Sequence, residues 1–139
     1  MHQISSTRFN ETDDYKINKG KVDLLLTSPP YFNQEQYSTD KDQSYNLHPT
    51  YESWINGYIK ETFQIGYDLL KKGGVLLLNI ADTKELPLEL DTLSVMEDIG
   101  FEFQYEIGMK LQRYLGLDLS LIHISEPTRL LSISYAVFC

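Results

Sequence analysis

Four consecutive residues, Ser28-Pro29-Pro30-Tyr31, combine groups suited to handling a planar amine. A residue before proline is pushed towards extended backbone, which constrains both Ser28 and Pro29. Neither proline has an N–H to donate, and both have a nearly fixed φ. The run is therefore a stiff, extended stub whose carbonyls need not be consumed by a sheet ladder. The exocyclic amine of cytosine or adenine is a poor nucleophile, because its lone pair is delocalised into the ring. Two acceptors set against its two hydrogens favour the pyramidal, reactive nitrogen. The Ser28 hydroxyl and the Pro29 carbonyl are candidates for that pair, and preorganised acceptors are an efficient source of catalysis. Tyr31 offers an aromatic face to a base flipped from a duplex. Such stacking is worth roughly 1–3 kcal/mol per base, comparable with the few kcal/mol that flipping costs. A Pro-Pro pair after a strand can also be a plain stiff turn, so the surrounding elements must decide.

Those elements form an α/β order. Residues 22–27, Val-Asp-Leu-Leu-Leu-Thr, make a short apolar run stopped by the two prolines. Continuous apolarity suits a strand covered on both faces, as in a parallel sheet. Residues 33–49 are polar and read as a long loop, which in a compact domain is usually functional or disordered. Thr50 can cap a helix with Glu52 in its first turn. Trp54, Tyr58, Ile59, Phe63, Leu69 and Leu70 recur at helical spacing, giving an amphipathic helix of about five to six turns. Lys71-Lys72 then fall in its last turn and Gly73 is its C-terminal cap. Gly57 and Gly66 weaken such a helix unless close packing requires them. Residues 74–81 are a second buried strand, 88–99 a helix stopped by Gly100, and 101–107 an alternating, one-sided strand. Residues 4–9 are a candidate for one more short strand. In an open α/β sheet, ligands bind outside the carboxyl ends of the strands, which is where Ser28 falls.

With the strand before it, the Ser28-Pro29-Pro30-Tyr31 run resembles the (S/D/N)PP(Y/F) catalytic motif of class I amino-methyltransferases dependent on S-adenosylmethionine. The resemblance extends over most of residues 22–110. Residues 72–80, Lys-Gly-Gly-Val-Leu-Leu-Leu-Asn-Ile, are similar to the helix-to-strand segment that follows the catalytic loop. Phe32, Asn33, Gln34 and Tyr37, followed by residues 42–45, Asp-Gln-Ser-Tyr, are similar to the substrate loop of phage-type and restriction-associated members. The resemblance implies a partial Rossmann-like, three-layer α/β sandwich with a mainly parallel sheet. It implies S-adenosylmethionine as cofactor, touched by Ser28 and Pro29, and DNA carrying a flipped base as partner. Ser28, Pro29, Pro30 and Tyr31 would be catalytic, and Phe32, Asn33 and Tyr37 would contact substrate. Serine in the first motif position leans towards N4 of cytosine rather than N6 of adenine. An RNA or protein-glutamine amino-methyltransferase is the rival within the same chemistry. The family's glycine-rich cofactor loop has no counterpart here, so an inert fragment is the alternative from another class.

Composition narrows the rest. A formal charge of −8 over 139 residues is awkward for a chain that grips a polyanion. Either the chain never touches nucleic acid or the gripping part lies elsewhere. The single cysteine, Cys139, and the scattered His2, His48 and His123 argue against a metal site. No apolar run approaches a membrane span and no secretory signal opens the chain, so a cytoplasmic setting is the expectation. No feature speaks to oligomeric state. Residues 119–129 resemble one reading frame of a sequencing adapter, and residues 133–139 resemble the primer sequence that follows such an adapter. Residues 1–118 are therefore expected to be the catalytic half of a truncated methyltransferase domain. Residues 119–139 are expected to be a foreign, poorly packed tail.

Overall fold

A four-stranded sheet organises residues 5–32, 44–109 and 133–138, the residues that the computed structural model describes. Strand β1 (Val22–Thr27) pairs in parallel with β2 (Leu70–Ile80). Strand β3 is Phe103–Met109 and β4 is Ile133–Phe138, and the spatial order is β1-β2-β4-β3. Because β4 is antiparallel to both β2 and β3, those two share the direction of β1. Three of the four described strands thus run in one direction, with β1 and β2 paired in parallel and β4 inserted antiparallel between β2 and β3.

Helices α4 (Lys60–Leu69) and α5 (Leu88–Ile99) cover one face, touching each other and the π-helical segment Trp54–Ile59. Leu76, Leu78 and Ile80 point into that layer with Trp54, Ile59, Phe63, Leu88 and Met96, all at 1% exposure or less. The expectation that β1 is covered on both faces is corrected. Leu24 and Leu26 are 54% and 67% exposed, because among the described residues one helical layer is present. The three-layer sandwich is represented here by two of its layers.

The long helix expected from residue 50 is interrupted and ends early. Thr50 does cap it, in a reciprocal box with Ser53, and the first turn is α3 (Tyr51–Ser53). The backbone then widens into the π segment before α4, and Leu70 leaves in extended geometry. Gly57 sits in the π segment directly beneath the His48 imidazole, where a side chain would collide with the ring. Lys71-Lys72-Gly73-Gly74 belongs to β2, as a bulge between the pairs Val22↔Leu70 and Leu24↔Val75. Gly73 has φ +74°, and a Cβ on Gly74 would lie 2.9 Å from the Val22 carbonyl oxygen. The glycine pair therefore serves the bulge and not a helix cap. Lys71 pairs with Asp23 across it.

Residues 6–11 form a 3₁₀ turn (Ser6–Glu11) and not a strand, followed by α1 (Asp13–Asn18). The Thr12 hydroxyl accepts the Tyr15 N–H at 3.2 Å, and Asp13 and Asp14 complement the helix dipole. A further helical turn, α2, spans Ser44–Leu47. Of residues 119–139 the structure describes only the backbone of β4. Its residues, Ile-Ser-Tyr-Ala-Val-Phe, include β-branched and aromatic types of high strand propensity. Such a segment fits the open hydrogen-bonding edges that β2 and β3 otherwise present.

Candidate functional site

The 28–31 loop leaves β1 immediately after Thr27, which is paired with Leu78 of β2. Both strands end on the same side of the sheet, the carboxyl-end side where α/β sheets hold ligands. Ser28 is exposed at this rim, Pro29 is buried beneath it, and Pro30 and Tyr31 are half-buried. The loop thus presents a hydroxyl to solvent on a base anchored by an apolar ring.

Two contacts fix its far end. The Tyr31 hydroxyl oxygen accepts a hydrogen bond from the Ala81 N–H at 3.1 Å, one residue past β2. Phe32 is 8% exposed, and its ring lies 5.8 Å from Tyr51 and 5.9 Å from Trp54. Tyr51 and Tyr58 stack on Trp54 at 6.2 and 5.8 Å. The Tyr51 hydroxyl donates to Asp91 Oδ2 of α5 at 2.7 Å. Burial, then the Asp91 carboxylate, hold that phenol well above its usual ionisation range. Asp82, next to Ala81, accepts the Glu89 N–H in the first turn of α5 at 2.9 Å. The Asp82 side chain thus bonds locally, to the backbone of α5. Trp54 and Tyr58 are core and rim, as their spacing suggests.

Of the residues singled out from sequence, Ser28, Pro29, Pro30, Tyr31 and Phe32 come together at the sheet end. Phe32 faces the aromatic core. Asn33 and Tyr37 lie outside the described residues. Tyr51, Asp91 and Ala81 carried no motif and were not singled out. Their roles depend on a fold that brings positions 40 and 50 residues apart into contact.

No group of three or more His, Cys, Asp or Glu side chains suited to a metal exists among the described residues. No described helix is long and apolar enough to cross a membrane. An apolar cavity of about 410 Å³ opens between the 3₁₀ turn, β1 and α4, lined by Phe9, Leu25, Ile65, Leu69 and Leu76 among others. The 28–31 loop does not line it. Among the described residues the glycines with positive φ are Gly20, Gly73 and Gly100. They sit at the amino ends of β1, β2 and the segment leading to β3, opposite the Ser28 rim.

An α/β sheet with a Ser-Pro-Pro-Tyr loop at the carboxyl end of its parallel β1–β2 pair matches an amino-methyltransferase type of scaffold. Residues 22–117 match the N6_N4_Mtase family model, described as DNA methylase, and the chain belongs to that family. It is 33% identical over 108 residues to the Type II beta methyltransferase M.BslI of Bacillus sp. (strain NEB-606), covering 65% of this chain and 11% of that protein. Among solved structures it is similar to TTHA0409 of Thermus thermophilus, provisionally named a DNA modification methylase and solved with S-adenosyl-L-methionine. The TM-score is 0.59 at 17% identity, covering 96% of this chain and 52% of that one. A selenomethionine form of TTHA0409 gives a TM-score of 0.56, with 91% and 51% covered. The chain spans about half the length of these structures and a smaller part of the curated relative.

Proposed function

We propose that this chain is the catalytic-loop half of a DNA methyltransferase that moves a methyl group from S-adenosylmethionine to an exocyclic base amine. The observation that carries the reading is the position of Ser28-Pro29-Pro30-Tyr31 at the carboxyl end of β1 in a chain of the DNA methylase family. The Ser28 hydroxyl and Pro29 carbonyl would accept the two amine hydrogens and so raise the nucleophilicity of the nitrogen. Tyr31, its hydroxyl held by Ala81, would offer its ring to the flipped base. Tyr31 packs against the buried cluster to which Phe32 belongs.

The described residues do not by themselves make a cofactor cradle. Ser28 and Pro29 offer one wall, while the glycines with positive φ lie at the opposite end of the strands. The cofactor, when bound, supplies the electrophilic methyl. On this reading residues 1–118 are a catalytic half, residues 119–139 are foreign, and the 139 residues alone are inactive. The net charge of −8 then leaves DNA gripping to the remainder of the parent protein.

Ser28 in the first motif position favours N4 of cytosine over N6 of adenine. Recovery of the full reading frame and its expression in a methylation-free host tests the proposal. Nucleoside analysis is expected to show 4-methylcytosine. Finding 6-methyladenine overturns the choice of base, and finding no methylated base overturns the enzyme reading. The flanks should encode a glycine-rich cofactor loop, and their sequence should depart from residues 119–139 after Asp118.

A further inference from the structure

The contacts around the 28–31 loop close on themselves. Tyr31 reaches Ala81 through its hydroxyl, and Ala81 adjoins Asp82, which holds the start of α5 through the Glu89 N–H. Two residues along that helix, Asp91 accepts the Tyr51 hydroxyl at 2.7 Å. The Tyr51 ring meets Phe32 at an interplanar angle of 62°, and Phe32 is bonded directly to Tyr31. The circuit runs loop, strand end, α5, Tyr51, Phe32 and back to the loop. Tyr51 is also stacked on Trp54, which is 1% exposed, so its ring has little freedom to leave.

We propose that Tyr51, anchored by Asp91, is a positioning residue that sets the place of the 28–31 loop through Phe32. The physical basis is over-determination. A loop whose own backbone has few sheet bonds keeps one geometry only when neighbouring groups with fixed rotamers clamp it. The Tyr31–Ala81 bond is one tether of the loop. The Phe32–Tyr51–Asp91 arm supplies a second tether, and two tethers define an orientation. Burial, then the Asp91 carboxylate, favour the protonated Tyr51 phenol, the form that donates.

The inference rests on the methyltransferase reading only in naming what the loop is for. Its test needs neither substrate nor cofactor, so it can fail while that reading stands. Amide exchange in the 139-residue chain is followed at Ala81, whose N–H bonds Tyr31, and at Leu77, which pairs with Leu26 in the sheet. Tyr51→Phe keeps the ring and removes the donor. It is expected to speed exchange at Ala81 by about fivefold to tenfold, the scale of one net hydrogen bond, with Leu77 unchanged. Asp91→Leu should match it, and Asp91→Asn, which keeps an acceptor, should restore most of the protection. A role confined to joining α3 and α5 would speed Leu77 and Ala81 together. That result, or no change at Ala81 in Tyr51→Phe and Asp91→Leu, overturns the proposal.

Discussion

The Tyr31 hydroxyl and the Ala81 backbone N–H, 50 residues apart in sequence, meet at 3.1 Å and tie the 28–31 loop to the end of β2. Ala81 is 9% exposed, so its N–H has limited access to water as an alternative partner. The bond therefore does two things: it satisfies a strand-end donor and fixes the ring that follows the two prolines.

Tyr31→Phe removes that acceptor while keeping the ring. The expected cost is about 1–2 kcal/mol of stability, because the Ala81 N–H is left short of a partner. Urea denaturation of the two proteins measures it, and a difference near zero would mean that water replaces the hydroxyl.

Thr92 is fully buried on α5, and its Oγ1 has no hydrogen-bond partner among the described residues. Replacing an unsatisfied hydroxyl by a methyl of similar shape relieves its desolvation penalty. Thr92→Val should stabilise the chain by about 1 kcal/mol, and Thr92→Ser should weaken it by opening space in the core. Thermal unfolding of the pair checks the opposite signs.

The two helical glycines should respond differently to alanine. At Gly66 a Cβ would lie 3.4 Å from Leu25 Cδ1, an ordinary contact, so Gly66→Ala should gain up to about 1 kcal/mol from helix propensity. At Gly57 the added methyl would strike the His48 ring. Gly57→Ala should therefore gain stability in a His48→Ala background and lose it, or gain less, with His48 present. A double-mutant cycle reads that coupling.

Asp68 receives hydrogen bonds from the Tyr15 hydroxyl at 2.8 Å, Lys19 Nζ at 3.1 Å and Gln64 Nε2 at 3.3 Å. Burial raises its pKa, but the hydrogen bonds from Tyr15, Lys19 and Gln64, with the Lys19 charge, outweigh it and leave the carboxyl below its ordinary value. A depressed folded pKa contributes stability that is present above the unfolded value, about 3.9, and lost as pH falls through the folded value. Stability should therefore drop below about pH 4, and Asp68→Asn should flatten that part of the curve. Urea midpoints between neutral and acid pH give the comparison.

Much of the candidate site was legible because its signals are local. Two prolines, a preceding apolar run and a following aromatic fix a strand end and a stiff loop without reference to anything distant. Gly100, with φ +117°, likewise closes α5 where the sequence places its stop. What escaped depends on tertiary contacts. The helix reading of Lys71-Lys72-Gly73 followed apolar period and cap chemistry, yet pairing of Leu70 with Val22 draws these residues into β2. Leu24 and Leu26 look like core from their type, and their exposure reflects which layers surround the sheet. Tyr51 and Asp91 have no motif, since their meaning comes from Phe32 and α5 arriving at the same place.

The most direct test of the account is the rate of methyl transfer from S-adenosylmethionine to DNA by the complete parent protein with Ser28 intact or changed to alanine. Ser28→Ala removes one of the two acceptors proposed for the amine and should lower the rate by roughly 100-fold, with the melting temperature nearly unchanged because Ser28 is exposed. An unchanged rate would contradict the assignment of the 28–31 loop as the catalytic element.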